Sequence, residues 1–440
     1  MIPFGSRIEM FVDDFLIDKI DNLSFRYNSP TDHGKVIGFD EAWEAEGSLA
    51  LTVLEDEENI KLYYRGFPKK KDDSSNMQTS CLAVSNDGIT FTRYPVNEIA
   101  YYDVTENNIV FIGKTGHNFA PFYDTNPKCK SEQRYKAIGG SEKTGGIWAY
   151  SSPDGIHWNL MSDRPILTEG TLDTMNMAFW NPATGKYHCY TRYWEEHINN
   201  DRISGKGRAI QSCVSDDFIN WSGFTPNQYE EGPIDELYTN AVRPVPGAEH
   251  VLISFPMRFN SQRKKVMGWH PGVSDAIIMT SRDGVKWSRP VKDAWLSGRF
   301  HSHEWTHRSF ITAGGIISRD DNFYLYVEKN YMWDDGGIWL YSVPKYRFMS
   351  LYADGQGGEL STKLLKFETD DIYINYSTSS YGYVIVKIFD ELGEEIYSSD
   401  ELFGNALSDK IHVEGLHGKC GTISIYMKEA HIYAIGSDMN

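Results

Sequence analysis

The chain has 440 residues, 61 acidic against 43 basic for a formal net charge of −18, and aromatic residues make up 14 % of it. That balance, with no long basic run, excludes a nucleic-acid backbone or an anionic membrane surface as partner, since either needs clustered Lys and Arg. No apolar stretch of about eighteen residues is present to span a bilayer, and 27 Tyr with 12 Trp suit strands and sugar-stacking surfaces better than helical bundles.

The amino terminus, Met1-Ile-Pro-Phe-Gly-Ser-Arg, lacks the charged segment and apolar stretch of a secretory leader, so a cytoplasmic protein is expected. Five cysteines (Cys81, Cys129, Cys189, Cys213 and Cys420) are odd in number and widely spaced, with no CxxC pair. They read as reduced thiols, and neither a metal nor a redox cofactor is expected.

Along the chain a three-part unit recurs. A first strand, small and apolar with some polar alternation, is predicted at 47–54, 118–123, 175–180, 238–242 and 308–312. A second is predicted at 61–65, 134–138, 186–192, 250–255 and 322–328. A third runs into a turn: Ser85-Asn-Asp-Gly-Ile-Thr-Phe91, Ser152-Pro-Asp-Gly-Ile-His-Trp158, Ser215-Asp-Asp-Phe-Ile-Asn-Trp221 and Ser281-Arg-Asp-Gly-Val-Lys-Trp287. Asp-Gly supplies a positive-φ hairpin turn and the aromatic residue anchors the return strand. The four serines stand 67, 63 and 66 residues apart, and a fifth strand, 337–342, follows without the turn motif. A period this long with several strands per unit predicts an all-β chain, a five-bladed β-propeller over 1–345. From 346 to 440 short period-two strands predict a β-sandwich, read as packing support.

Repeats of this kind followed by a sandwich resemble the five-bladed glycoside hydrolases of families 32, 43 and 68. The segments Met10-Phe-Val-Asp-Asp-Phe-Leu-Ile17, Ala42-Trp-Glu-Ala-Glu-Gly47 and Lys61-Leu-Tyr-Tyr-Arg-Gly66 are similar to bacterial glycosidase-like proteins. The resemblance implies a carbohydrate substrate and a site at the wide mouth of the channel. It departs from the families at their motifs: Trp-Met-Asn-Asp-Pro-Asn-Gly, Arg-Asp-Pro and a third-blade Glu-Cys pair are all absent.

In this architecture the starts of first strands and the ends of second strands converge at the mouth. The starts carry Glu46, His117, Asn118, Asp173, Asn176, Asp235, Glu236, Tyr238, Glu304, His307 and Arg308, and the ends carry Arg65, Arg192, Arg258 and Glu328. Glycoside hydrolysis needs two carboxylates flanking the scissile bond. Asp173 is expected as base or nucleophile, with Asn176 beside it for a sugar hydroxyl. Glu236 is expected as acid, desolvated by the Tyr238 ring, and Glu46 and Glu304 stand as alternatives for either role. His117, Asn118, Asn176, Tyr238, Arg65, Arg192, Arg258, His307 and Arg308 are expected to bind substrate, and so many arginines suit an anionic sugar. The plain alternative for each acidic residue is a capped turn. If an amino-terminal strand closes the ring, Asp13 or Asp14 could reach the channel mouth, but both are expected instead to bond backbone at the closure, and the turn aspartates Asp87, Asp154, Asp217 and Asp283 are expected to be structural. A phosphorylase of similar fold and a non-catalytic carbohydrate-binding propeller are the competing functions.

Overall fold

The structure, a computed structural model, describes residues 1–44, 48–66, 78–195, 207–229 and 235–439. Five antiparallel blades are present. Blade 1 runs Leu51–Glu55, Ile60–Gly66, Thr79–Ser85, and blade 2 runs Ala120–Tyr123, Tyr135–Ser141, Gly146–Ser152. Blade 3 runs Met177–Asn181, Lys186–Glu195, Gly207–Ser215. Blade 4 runs Arg243–Val245, Ala248–Ser254, Met279–Ser281, extended at its mouth end by a hairpin of Met257–Asn260 and Val273–Ala276. Blade 5 runs Ile311–Thr312, Asn322–Lys329, Gly337–Pro344, and its outer strand is Thr31–Gly38 from the other end of the chain. That closure explains the missing fifth turn: blade 5 takes its last strand from elsewhere and needs no hairpin there.

The inner strands begin later than the sequence pattern suggests, by five residues in blade 4. The residues just before them are turned out of the strand region. Leu49, Asn118, Ala241, Arg308 and Phe310 all have positive φ, between 44° and 65°, a conformation that non-glycine residues adopt only when their surroundings hold them there.

Each Ser-x-Asp turn is locally saturated. The Ser85 hydroxyl accepts the Gly88 N–H (2.9 Å), and one oxygen of Asp87 accepts the Ile89 and Thr90 N–H groups (2.8 Å each). The same pattern recurs at Asp154, Asp217 and Asp283. The turns also join the blades. Tyr63 of blade 1 donates to the Gly155 carbonyl of blade 2, Tyr190 of blade 3 to Gly284 of blade 4, and Tyr326 of blade 5 to Gly88 of blade 1. In blade 3 Phe218 holds the same left-handed position (φ 70°) and packs its ring on Phe122 instead.

The chain's first four strands, Ile2–Phe4, Ile8–Met10, Ile17–Asp21 and Ser24–Tyr27, pair with seven carboxy-terminal strands in one eleven-stranded sheet. Asp371–Asp390 and Cys420–Gly436 are its longest strands, and it encloses its own core around Leu351, Leu360, Val386 and Ile425. Ile8, Val12, Phe348 and Met349 belong to the main propeller core, so the two parts share apolar packing. Asp13 does not reach the mouth. It accepts the Phe15 N–H and pairs with Arg282 in the blade 4 turn, on the opposite face. All five cysteines are free thiols, and among the described residues no helix is long and apolar enough to cross a membrane.

Candidate active site at the propeller mouth

At the hub, blade 5 contributes Glu328, which is fully buried. Its two oxygens accept the Ser48 and Leu49 N–H groups, each at 2.8 Å. Burial pushes its carboxyl up to about 7, against those two hydrogen bonds and the charges of Arg65 and Arg308. Arg65 of blade 1, also buried, donates to the Asn118 side-chain oxygen at 2.7 Å.

The Tyr238 ring is the meeting point of three further arginines. The Arg192, Arg208 and Arg308 guanidiniums lie 5.0, 4.7 and 5.4 Å from its centroid. Arg192 is hydrogen-bonded to Asp173, and Arg208 to Glu236. Arg308 donates to His307 Nε2 at 2.6 Å, which leaves the His307 proton on Nδ1. His307 is held down to about 4 by burial and then by Arg308, and His117 to about 3 by burial and then by Arg65, so both rings are neutral at pH 7. His117 Nδ1 meets Gln78 Oε1 at 2.8 Å.

The structure thus brings together Asp173, Glu236, Tyr238, His117, Asn118, Arg65, Arg192, His307 and Arg308 from five blades. Asn176 stands just behind: its amide donates to the Leu172 and Thr174 carbonyls (2.8 and 3.1 Å) and closes the turn that carries Asp173. Glu46 lies outside the described residues. The expected environment of Glu236 needs correction. The Tyr238 ring does not simply desolvate it, because the same ring carries the Arg208 guanidinium that pairs with it.

Arg258 belongs to an adjoining hollow of about 870 Å³, lined among others by Glu236, Arg263, Arg299 and Trp305. Arg258 grips Asp275 with two hydrogen bonds (2.8 and 2.7 Å) and reaches Asp235 at 3.4 Å. Glu304, buried, accepts the Arg299 N–H at 2.8 Å and Lys329 Nζ at 3.1 Å, and so braces the loop around that hollow. Trp269, Trp333 and His303 stack face to face, with centroids 4.0 and 3.6 Å apart. His301, His303 and Asp335 place ligand-type atoms within 4.8 Å of one another, with the two histidines in a His-x-His spacing.

Sequence reasoning missed Arg208. The available signal was its register: it faces Trp194 across the second and third strands of blade 3, two positions beyond Arg192. Strand phase puts Glu328 at the mouth, but its burial is set by the Ser48–Leu49 backbone of a different blade, which no local pattern shows.

Neither a protein-family model nor a curated protein matches this chain. Among solved structures, a complex of BT0996 with RGII superposes with a TM-score of 0.50 at 14 % identity, covering 72 % of this chain and 92 % of its own. The two share a fold. A structure described as a glycoside hydrolase has a TM-score of 0.49 at 14 % identity over 72 % of this chain and 92 % of its own. A family 43 arabinoxylan arabinofuranohydrolase from Bacillus subtilis, solved with cellotetraose, has a TM-score of 0.42 at 10 % identity, covering 92 % and 98 %. At such identities the likeness is one of architecture, and chemistry has to be argued from the site.

Proposed function

We propose that the protein is a glycoside hydrolase whose paired carboxylates are Asp173 and Glu236. One observation carries this reading: the two acids come from successive blades, and each holds an arginine that packs on the same Tyr238 ring. Two carboxylates are thereby aimed at one hollow from two sides, the arrangement that protonation of a leaving oxygen and attack at the anomeric carbon both require. Asp173, with about half of its side chain exposed, is the base or nucleophile, since it meets incoming water or sugar. Glu236, almost wholly buried, is assigned the acid, a role in which a proton has to take the place of its bond to Arg208. The neutral His117 and His307 offer hydrogen bonds to sugar hydroxyls without adding charge.

Asp173→Asn and Glu236→Gln should each abolish turnover of a cleavable glycoside while sugar binding persists. Binding by the wild type with no turnover of any glycoside would make the mouth a lectin site, and turnover that requires inorganic phosphate would make the enzyme a phosphorylase.

A further inference from the structure

Among the described residues, the mouth carries more positive charge than its carboxylates cancel. Arg65, Arg192, Arg208 and Arg308 gather there against Asp173, Glu236 and the raised carboxyl of Glu328. Two of them are buried rather than solvated. The side chain of Arg192 is only 4 % exposed and Arg65 as a residue 2 %, and burial pulls both guanidiniums below their ordinary range. Among the described residues, Nε and Nη1 of Arg192 and Nε of Arg208 have no hydrogen-bond partner. Buried donors without acceptors are costly, and a cluster of like charges in a low-dielectric hollow adds to that cost. An anion relieves both at once, because a guanidinium presents its donors in a fork that matches a carboxylate or sulfate. The two neutral histidines report the same field: next after burial, Arg65 and Arg308 are what hold their protons off.

We infer that Arg192, Arg208 and Arg308 form an anion subsite around Tyr238 that takes the carboxylate or sulfate group of an acidic sugar. The subsite stands on charge and geometry alone, and only the assignment of that sugar as a substrate rests on the hydrolase reading. Arg192 and Arg208 are also the arginines that hold Asp173 and Glu236, so the bound anion and the two carboxylates share the same donors. The acidic substituent therefore seats the sugar ring within reach of both. The adjoining hollow continues the pattern, since Arg263, Lys264, Lys265 and Arg299 line it in a protein of net charge −18. A longer acidic oligosaccharide would extend along that side.

Calorimetry on the full chain tests this, with galacturonate, glucuronate and galactose 6-sulfate set against galactose, glucose and inorganic phosphate. The acidic sugars should bind at least about tenfold more tightly than their neutral counterparts. Uronate and sulfate arms tell the two anions apart. Arg308→Gln, at a half-buried position, should erase the preference with the melting temperature preserved, and Arg308→Lys should restore part of it. Equal binding of neutral sugars, no binding of any acidic sugar, or phosphate binding tighter than any sugar would overturn the subsite. Cleavage of neutral glycosides with no preference for charged ones would overturn the subsite and leave the hydrolase standing. Tight binding of uronates with no cleavage would overturn the hydrolase and leave the subsite.

Discussion

The two faces of the propeller solve opposite problems. On the turn face, the Ser and Asp of each repeat find their partners within three residues, and the left-handed residue at its centre is pinned by a tyrosine of the neighbouring blade, or by Phe218's own ring. On the mouth face, among the described residues, Arg192 and Arg208 keep buried donors unpaired, carboxylates are shared between blades, and Leu49, Asn118 and Arg308 sit in left-handed backbone without being glycine. The turn motifs are satisfied through their own Ser and Asp, whereas the arginines of the mouth keep the donors for which a ligand is proposed.

Substitutions on the two faces should therefore separate cleanly. The largest effect is expected at the mouth, where Asp173→Asn or Glu236→Gln lowers kcat by about a thousandfold or more, with the melting temperature nearly unchanged. A loss of folding instead, seen by calorimetry, would make those ion pairs structural. On the turn face Gly155→Ala should do the reverse. Its φ is +77°, and an added Cβ would sit 2.5 Å from the Tyr63 hydroxyl, so about 2–4 kcal/mol of stability goes while kcat at low temperature survives.

The faces should also fail at different pH. His117 is neutral in the fold, held to about 3, but takes a proton near 6.5 when unfolded. It stabilises the fold above pH 6.5, and that contribution is lost as the pH falls toward 3. Asp87, lowered to about 2 by the backbone N–H groups of Thr90 and Ile89, gives a contribution present above about 3.8 that is lost only below it. Melting curves of His117→Gln against wild type should converge or cross between pH 6.5 and 4, whereas those of Asp87→Asn should change relative to wild type only below pH 4. A pH-independent offset at position 117 would break this contrast. The smallest effect is expected for Tyr326→Phe, which removes only the hydroxyl bonded to Gly88 and should cost about 0.5–1.5 kcal/mol in a denaturant titration.

The turn face was legible in the sequence because its chemistry is local: Ser-x-Asp-Gly and its aromatic residue lie within seven positions, and their spacing alone counts the blades. The mouth was legible only in part. Strand phase delivered Arg65, Asp173, Arg192, Glu236 and Arg308 to one hollow, since the ends of strands are set by the same period. Which carboxylate meets which arginine depends on side-chain reach across the hollow, and Arg208 with Lys329 entered only through that reach. Closure of the ring by an amino-terminal strand is expected from the sequence, but its identity as Thr31–Gly38 was hidden for a related reason, because it pairs Thr31 with Ser342 across the length of the chain.

The most direct test of an arginine-lined mouth that cleaves acidic glycosides compares kcat/KM for a uronide and the matched neutral glycoside, on wild type, Asp173→Asn and Arg308→Gln. The uronide should be turned over preferentially by the wild type, not at all by Asp173→Asn, and without preference by Arg308→Gln. Equal rates on both substrates, or activity untouched by either substitution, would contradict it.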